Sequence, residues 1–218
     1  MRRFVLFIDR LLRRRLGVYE FSDDPDCLLR LQITKAPHTL RLPDGVVEEG
    51  EPVLGLHLWN DRMRPIPAGG PDLTWGLWLR RNFERSLHLA GREMRRDPRL
   101  KRVRAVGATT GALVPGDASS GIRVMQHLGF HAGPYPHRRF AWLIEFWEDI
   151  YAWWLMRAYN PTSLRHRKFS GMGRTEVWML AADFLKRYGG SEETGEAEAR
   201  PETFPERRAS GTKGVQVS

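Results

Sequence analysis

Pro52 opens and Asn60-Asp61 closes an apolar run, Val53-Leu54-Gly55-Leu56-His57-Leu58-Trp59, that constrains the fold more than any other stretch. Its partial alternation and bounded length read as a buried or half-buried β-strand. A proline at the first strand position removes an N–H where the ladder needs it least, and Asn-Asp side chains favour the turn that follows. Gly55 permits a close backbone approach or a bulge. His57, Trp59 and Asn60 then gather near the strand's carboxyl end, where a sheet meets its ligand. A core strand whose His57 is simply hydrogen-bonded is the alternative.

The other elements fall around that strand. Cys27–Thr34 and His38–Leu42 read as strands, the second followed by Pro43-Asp44-Gly45, a turn in which proline presets φ and glycine tolerates positive φ. Arg64–Pro71 carries three prolines and two glycines and is a loop. It delivers Asp72 as the N-cap of a helix whose apolar stripe is Trp75, Leu79, Phe83, Leu87, Ala90 and Met94, and Asp97-Pro98 ends it. Val103–Val106 reads as a strand, Ala118–Leu128 as a helix stopped by Gly129, and Phe130–Ala132 as a short strand. In Arg138–Tyr159 one stripe is Phe140, Ile144, Trp147, Tyr151, Trp154 and Leu155, and a second is Trp142, Phe146 and Trp153. A helix apolar on two sides is clamped within the fold or offers one side to a protein partner. Thr175–Tyr188 reads as a last helix, with Val177, Leu180, Ala181, Phe184 and Leu185 inward. The fold class is α+β: a single domain with a central mixed sheet flanked by helices. Residues 1–17 form a basic amphipathic helix, 18–190 the domain, and 191–218 a disordered tail poor in apolar residues.

The run Glu51-Pro52-Val53-Leu54-Gly55-Leu56-His57-Leu58-Trp59-Asn60-Asp61-Arg62 resembles the signature of the bacterial YkoP-like domain family, "GD-x-V-x-E-LHLWNE". Trp75, Arg85-Ser86-Leu87-His88-Leu89-Ala90, Leu128-Gly129-Phe130 and Asn160-Pro161 extend the likeness over roughly residues 1–190. Gly55 stands where the family pattern has Glu, and Asp61 where Glu is usual. Members are associated with polysaccharide deacetylases and envelope glycan genes, so the resemblance implies an accessory factor of envelope polysaccharide or glycolipid metabolism. Separately, the order strand, loop, helix, strand, helix ending Leu-Gly-Phe, strand is similar to the second half of the N-acetyltransferase (GNAT) fold. Ser119-Ser120-Gly121-Ile122-Arg123-Val124-Met125-Gln126-His127 leads into that last Leu-Gly-Phe. In that fold backbone N–H groups at a helix N-terminus hold the coenzyme A pyrophosphate. The loop Arg64–Pro71 does not match the family's Gln/Arg-x-x-Gly-x-Gly/Ala motif, because its prolines remove N–H donors. That likeness implies an acyltransferase-like enzyme on a degenerate scaffold, the second function carried forward.

The net charge is +9, and the tail holds six carboxylates against four Lys/Arg, which leaves +11 before Ser191. Only five basic residues are Lys, so guanidinium groups, suited to phosphates and anionic headgroups, dominate. Phe4, Ile8, Leu11 and Leu12 line one side of residues 2–16, with arginines largely elsewhere. Such a helix lies on an anionic membrane or packs on the domain, and both remain open. Nucleic-acid binding, the third function considered, is disfavoured because the tryptophans sit at core-like spacing. No signal peptide is expected, since Asp9 and Arg10 interrupt the first apolar run, and no stretch of about 18 apolar residues exists. The location expected is cytoplasmic, peripheral to the inner face of the membrane.

No reaction is legible, and neither a cofactor nor a metal is implied. His127, His131 and His137 lack companions at ligand spacing, Ser86 and Ser119 stand on no nucleophile elbow, and Cys27 reads as a packed core residue. The ligand-binding candidates are His57, Trp59, Asn60, Asp61, Trp75 and Arg81. Among them His57, Asn60, Trp75 and Arg81 are expected to meet where the strand's end faces the Asp72 helix. Arg165, His166, Arg167, Lys168 and Arg174 are the anion-binding candidates, either a phosphate-binding loop or a solvated charged one.

Overall fold

A computed structural model describes residues 15–67, 69–110, 118–134 and 175–190. The expected amphipathic helix lies outside the described residues up to position 14. So do the aromatic helix expected at 138–159, the basic residues Arg165, His166, Arg167, Lys168 and Arg174, and the tail expected from 191. Arg15 and Leu16 are helical, and Gly17 turns the chain at φ 70°, as the sequence leads one to expect.

The strands are β1 (Val18–Tyr19), β2 (Leu29–Lys35), β3 (Leu40–Leu42), β4 (Gly45–Val47), β5 (Pro52–Leu58), β6 (Ala105–Thr110), β7 (His131–Pro134) and β8 (Thr175–Leu180). The helices are α1 (Leu73–Arg96), α2 (Ala118–His127) and α3 (Ala181–Tyr188). Six strands form one mixed sheet in the order β1-β2-β5-β6-β8-β7, and β3 pairs with β4 in a separate hairpin. Only β5 and β6 run parallel, and α1 makes the crossover between them. The α+β domain inferred from the sequence is therefore the observed one.

Alternation along β2, β5, β6 and β8 sorts side chains to two sides of the sheet. Leu29, Leu31, Leu54, Leu56, Val106, Val177 and Met179 meet Phe83, Leu87, Ala90 and Met94 of α1, Met125 of α2, and Phe184 and Tyr188 of α3. Each fully buried leucine there contributes about 1.5–3 kcal/mol. The opposite side carries a smaller cluster under the hairpin: Ala36, Leu40, Val47, Val53, Ala105 and Trp178.

α1 forms where its caps place it. The Asp72 carboxylate accepts from Trp75 N at 2.7 Å, and Asp97 closes the far end. Its buried side also includes Asn82 and Ser86. Ser86 Oγ accepts from Leu28 N at 2.8 Å and donates to Asn82 O at 2.6 Å, while Trp59 N donates to Leu28 O. This stitch fastens the start of β2 to α1 and to the end of β5. Gly91 allows α3 to approach, since an added Cβ would stand 2.9 Å from Gly189 N.

Two local expectations change. Thr175–Tyr188 is not one helix: residues 175–180 are the interior strand β8, and only Ala181–Tyr188 is helical. A short run buried on both sides has no periodicity to separate strand from helix. Gly45 is not a positive-φ turn residue but the first residue of β4, packed so closely on Leu180 that an added Cβ would stand 3.2 Å from its Cδ1. Pro43-Asp44 alone makes the hairpin loop.

Candidate functional site

β5 and β6 pair only at Val53↔Ala105, Leu54↔Val106 and Gly55↔Gly107. Both strands continue: β5 to Leu58, held by β2, and β6 to Thr110, held by β8. Beyond the glycine pair the parallel strands part, each following its antiparallel neighbour. Their facing backbone edges, residues 56–58 and 108–110, form no ladder with each other. An opening at the carboxyl ends of adjacent parallel strands is where open sheets receive ligands.

The register places Arg30 opposite His57 and Thr109 opposite Glu176, with all four on the side of the sheet away from α1. His57 thus stands on one flank of the gap and Glu176 one strand beyond the other. His57 Nε2 lies 2.7 Å from Gln32 Oε1, and Gln32 Nε2 donates to Leu16 O at 2.8 Å. Burial first, and the Arg30 guanidinium second, pull the His57 pKa below its ordinary 6.5, so the ring is neutral near pH 7. Below pH 6.5 the unfolded chain then binds more protons than the folded one. Stability is expected to fall as the pH drops from about 6.5 towards the lowered folded value, and to be level above. Urea denaturation across that range should show this slope in the wild type and lose it in His57→Gln.

Glu176 is buried, only 2% exposed. Its Oε2 lies 2.6 Å from His38 Nε2 and accepts from Trp178 Nε1 at 3.3 Å, while Oε1 is buried with no hydrogen-bond partner among the described residues. His38 Nδ1 donates to Thr39 O at 3.1 Å, a carbonyl that can only accept. The β2–β3 connection therefore lays a half-exposed histidine on a sealed carboxylate. Sequence reasoning missed this pair because a helix over 175–188 would have turned Glu176 to solvent. The signal was a carboxylate directly before the apolar run Val177-Trp178-Met179-Leu180.

The remaining candidates are engaged in structure. Trp59 is buried, with the Arg30 and Arg62 guanidiniums 4.3 and 3.4 Å from its ring centroid. Arg30 is itself buried and pairs with Glu20 at 2.9 Å and Asp61 at 3.4 Å, which occupies Asp61. Arg62 donates to the carbonyls of Asp24 and Cys27. Burial opposes ionisation of Asp24, yet its hydrogen bond with Arg85 holds the pKa below the ordinary value. Trp75 is buried and its Nε1 donates to Arg64 O at 3.2 Å, pinning the loop to α1. Arg81 is exposed on the other side of α1, so the structure does not bring it beside Trp75. Asn60 begins a 3-10 turn, Asn60–Arg62, just past β5. Burial pushes the Cys27 thiol up, which suits packing rather than nucleophilic attack.

The N-terminus of α1 is not an anion cradle. Asp72 already occupies it, and the preceding loop spends Gly70 N on Pro67 O. Among the described residues no group of three or more His, Cys, Asp or Glu could hold a metal ion, and no helix is long and apolar enough to cross a membrane.

No curated protein and no solved structure matches the chain. The model of the YkoP domain does match, over residues 1–188. With nearly the whole chain covered, and with the His57-Leu58-Trp59-Asn60 strand end at the centre of its sheet, this protein belongs to the YkoP domain family.

Proposed function

We propose that the domain is an acyltransferase-like scaffold that takes an extended acyl or amide-bearing ligand into the gap between β5 and β6. The parting of these two parallel strands after Gly55 and Gly107 carries the proposal. Backbone edges that form no ladder with each other suit an extended amide chain, which pairs with them as an added strand would. The element order likened above to the GNAT fold supports the same reading. His57 is a neutral acceptor on one flank, and the hydrogen-bonded Glu176–His38 pair lies near the other. With Asp72 at the start of α1, affinity comes from the acyl arm rather than from a diphosphate at that helix. Equilibrium dialysis with acetyl-pantetheine is the test: saturable binding is expected, weakened about tenfold or more by Thr109→Trp beside the gap. No binding across a series of acyl-pantetheine thioesters would sink the proposal.

A second reading is an accessory role in envelope polysaccharide or glycolipid metabolism at the cytoplasmic membrane face. It is favoured by the exposed Leu73 and Leu77, 79% and 57% accessible, on the helix side that also carries Arg80 and Arg81. Sedimentation with vesicles rich in phosphatidylglycerol should retain the full chain, and protein left wholly in the supernatant speaks against it.

A further inference from the structure

We infer that Gln32 is a positioning residue that fixes the tautomer of His57, leaving Nδ1 as an open acceptor for a ligand N–H or O–H at the gap. The inference rests on the gap as the binding site, but its structural part stands on three atoms alone. Leu16 O is a carbonyl and can only accept, so the Gln32 atom 2.8 Å away is the amide nitrogen. The amide oxygen is then the atom 2.7 Å from His57 Nε2. An oxygen of that kind accepts only, so Nε2 carries the ring proton and Nδ1 keeps its lone pair. No hydrogen-bond partner for Nδ1 is found among the described residues, and the ring is half-buried rather than sealed.

The relay ends in the last turn before Gly17, where the chain leaves its helical start for β1. Gln32 and Leu16 meet at an exposed edge of the sheet, next to the Val18↔Gln32 pairing. The Leu16 carbonyl holds the amide in one orientation, and Leu16 and the gap are thereby connected through a single side chain.

Nitrogen-15 spectra of the seven histidine rings in the full chain test this, with His57→Gln assigning the signal. At a pH where the ring is neutral, the wild type should show a protonated Nε2 and a bare Nδ1. Gln32→Lys offers a donor only, so it should reverse the tautomer. Gln32→Glu offers an acceptor only, so it should keep the tautomer while losing the tie to Leu16. Gln32→Leu should give a mixture. A wild-type ring protonated on Nδ1, or a tautomer that ignores all three substitutions, overturns the inference. Openness is read separately by diethyl pyrocarbonate, which acylates a bare ring nitrogen. His57 should react within about tenfold of the exposed His88, and an unreactive His57 overturns the open-acceptor part. Failure of acyl-pantetheine to bind would remove the proposed ligand while leaving these spectra unchanged, so the two failures are distinguishable.

Discussion

Gly107→Ala is expected to cost about 3 kcal/mol or more, lowering Tm by about 6–12 °C, whereas Gly55→Ala should stay within about 1 kcal/mol. The two glycines face each other across the last rung before β5 and β6 part, yet their surroundings differ. A Cβ at Gly107 would be driven against Val177 O and the Trp178 ring, whose Cδ2 would lie 2.7 Å away. Neither neighbour can yield, because Val177 O is backbone and Trp178 is packed beneath the hairpin. A Cβ at Gly55 meets only ordinary contacts of 3.5–3.7 Å with His57 and Gln32. Differential scanning calorimetry of both variants checks this. If the two melt alike, then the indole does not rest on Gly107 as described, and the geometry at the apex of the gap is wrong.

Trp59→Ala is expected to destabilise the fold by about 3–5 kcal/mol. The indole is buried, and two guanidiniums lie over it. Removing it leaves Arg30, itself buried, without the face it rests on, and unseats the Arg62 contacts that tie Asp24 and Cys27 to the end of β5. Chemical denaturation should show a lower midpoint with an unchanged slope. A midpoint equal to that of the wild type would instead return Trp59 to the ligand-binding residues, since such a residue can be lost without loss of stability.

The physics that makes an element legible explains which parts were readable. α1 carried its own start, stop and stripe, and Asp72, Asp97-Pro98 and the burial of Trp75, Phe83, Leu87, Ala90 and Met94 follow from local rules. β5 was legible from its proline, its apolar run and its closing turn, and Gly129, at φ 88°, from helix-stop chemistry. β8 was not, because a strand buried on both sides has no contrast for a pattern to exploit. The site was harder still. Arg30 and Gln32 come from β2, His38 from the connection after it and Glu176 from β8, and each resembles a solvated residue until the register is known. The gap has no local signature at all, because it consists in which strands cease to pair. His57 alone was visible, being a histidine inside an apolar strand.

β8 lies between β6 and β7, though it follows both in the chain. The late insertion sets the timing of folding. A growing chain that has emitted β1 to β7 holds β6 with one edge unsatisfied, and β7 with no partner among the described strands, until residue 180 has emerged. Contacts spanning so many residues close slowly, and open strand edges are the places where intermediates stick to one another. Refolding from denaturant should therefore be slow, on the order of milliseconds to seconds, with protection of the Ala105–Thr110 amides among the last to appear. The same insertion means that a ribosome must finish nearly the whole domain before β6 is held on both edges.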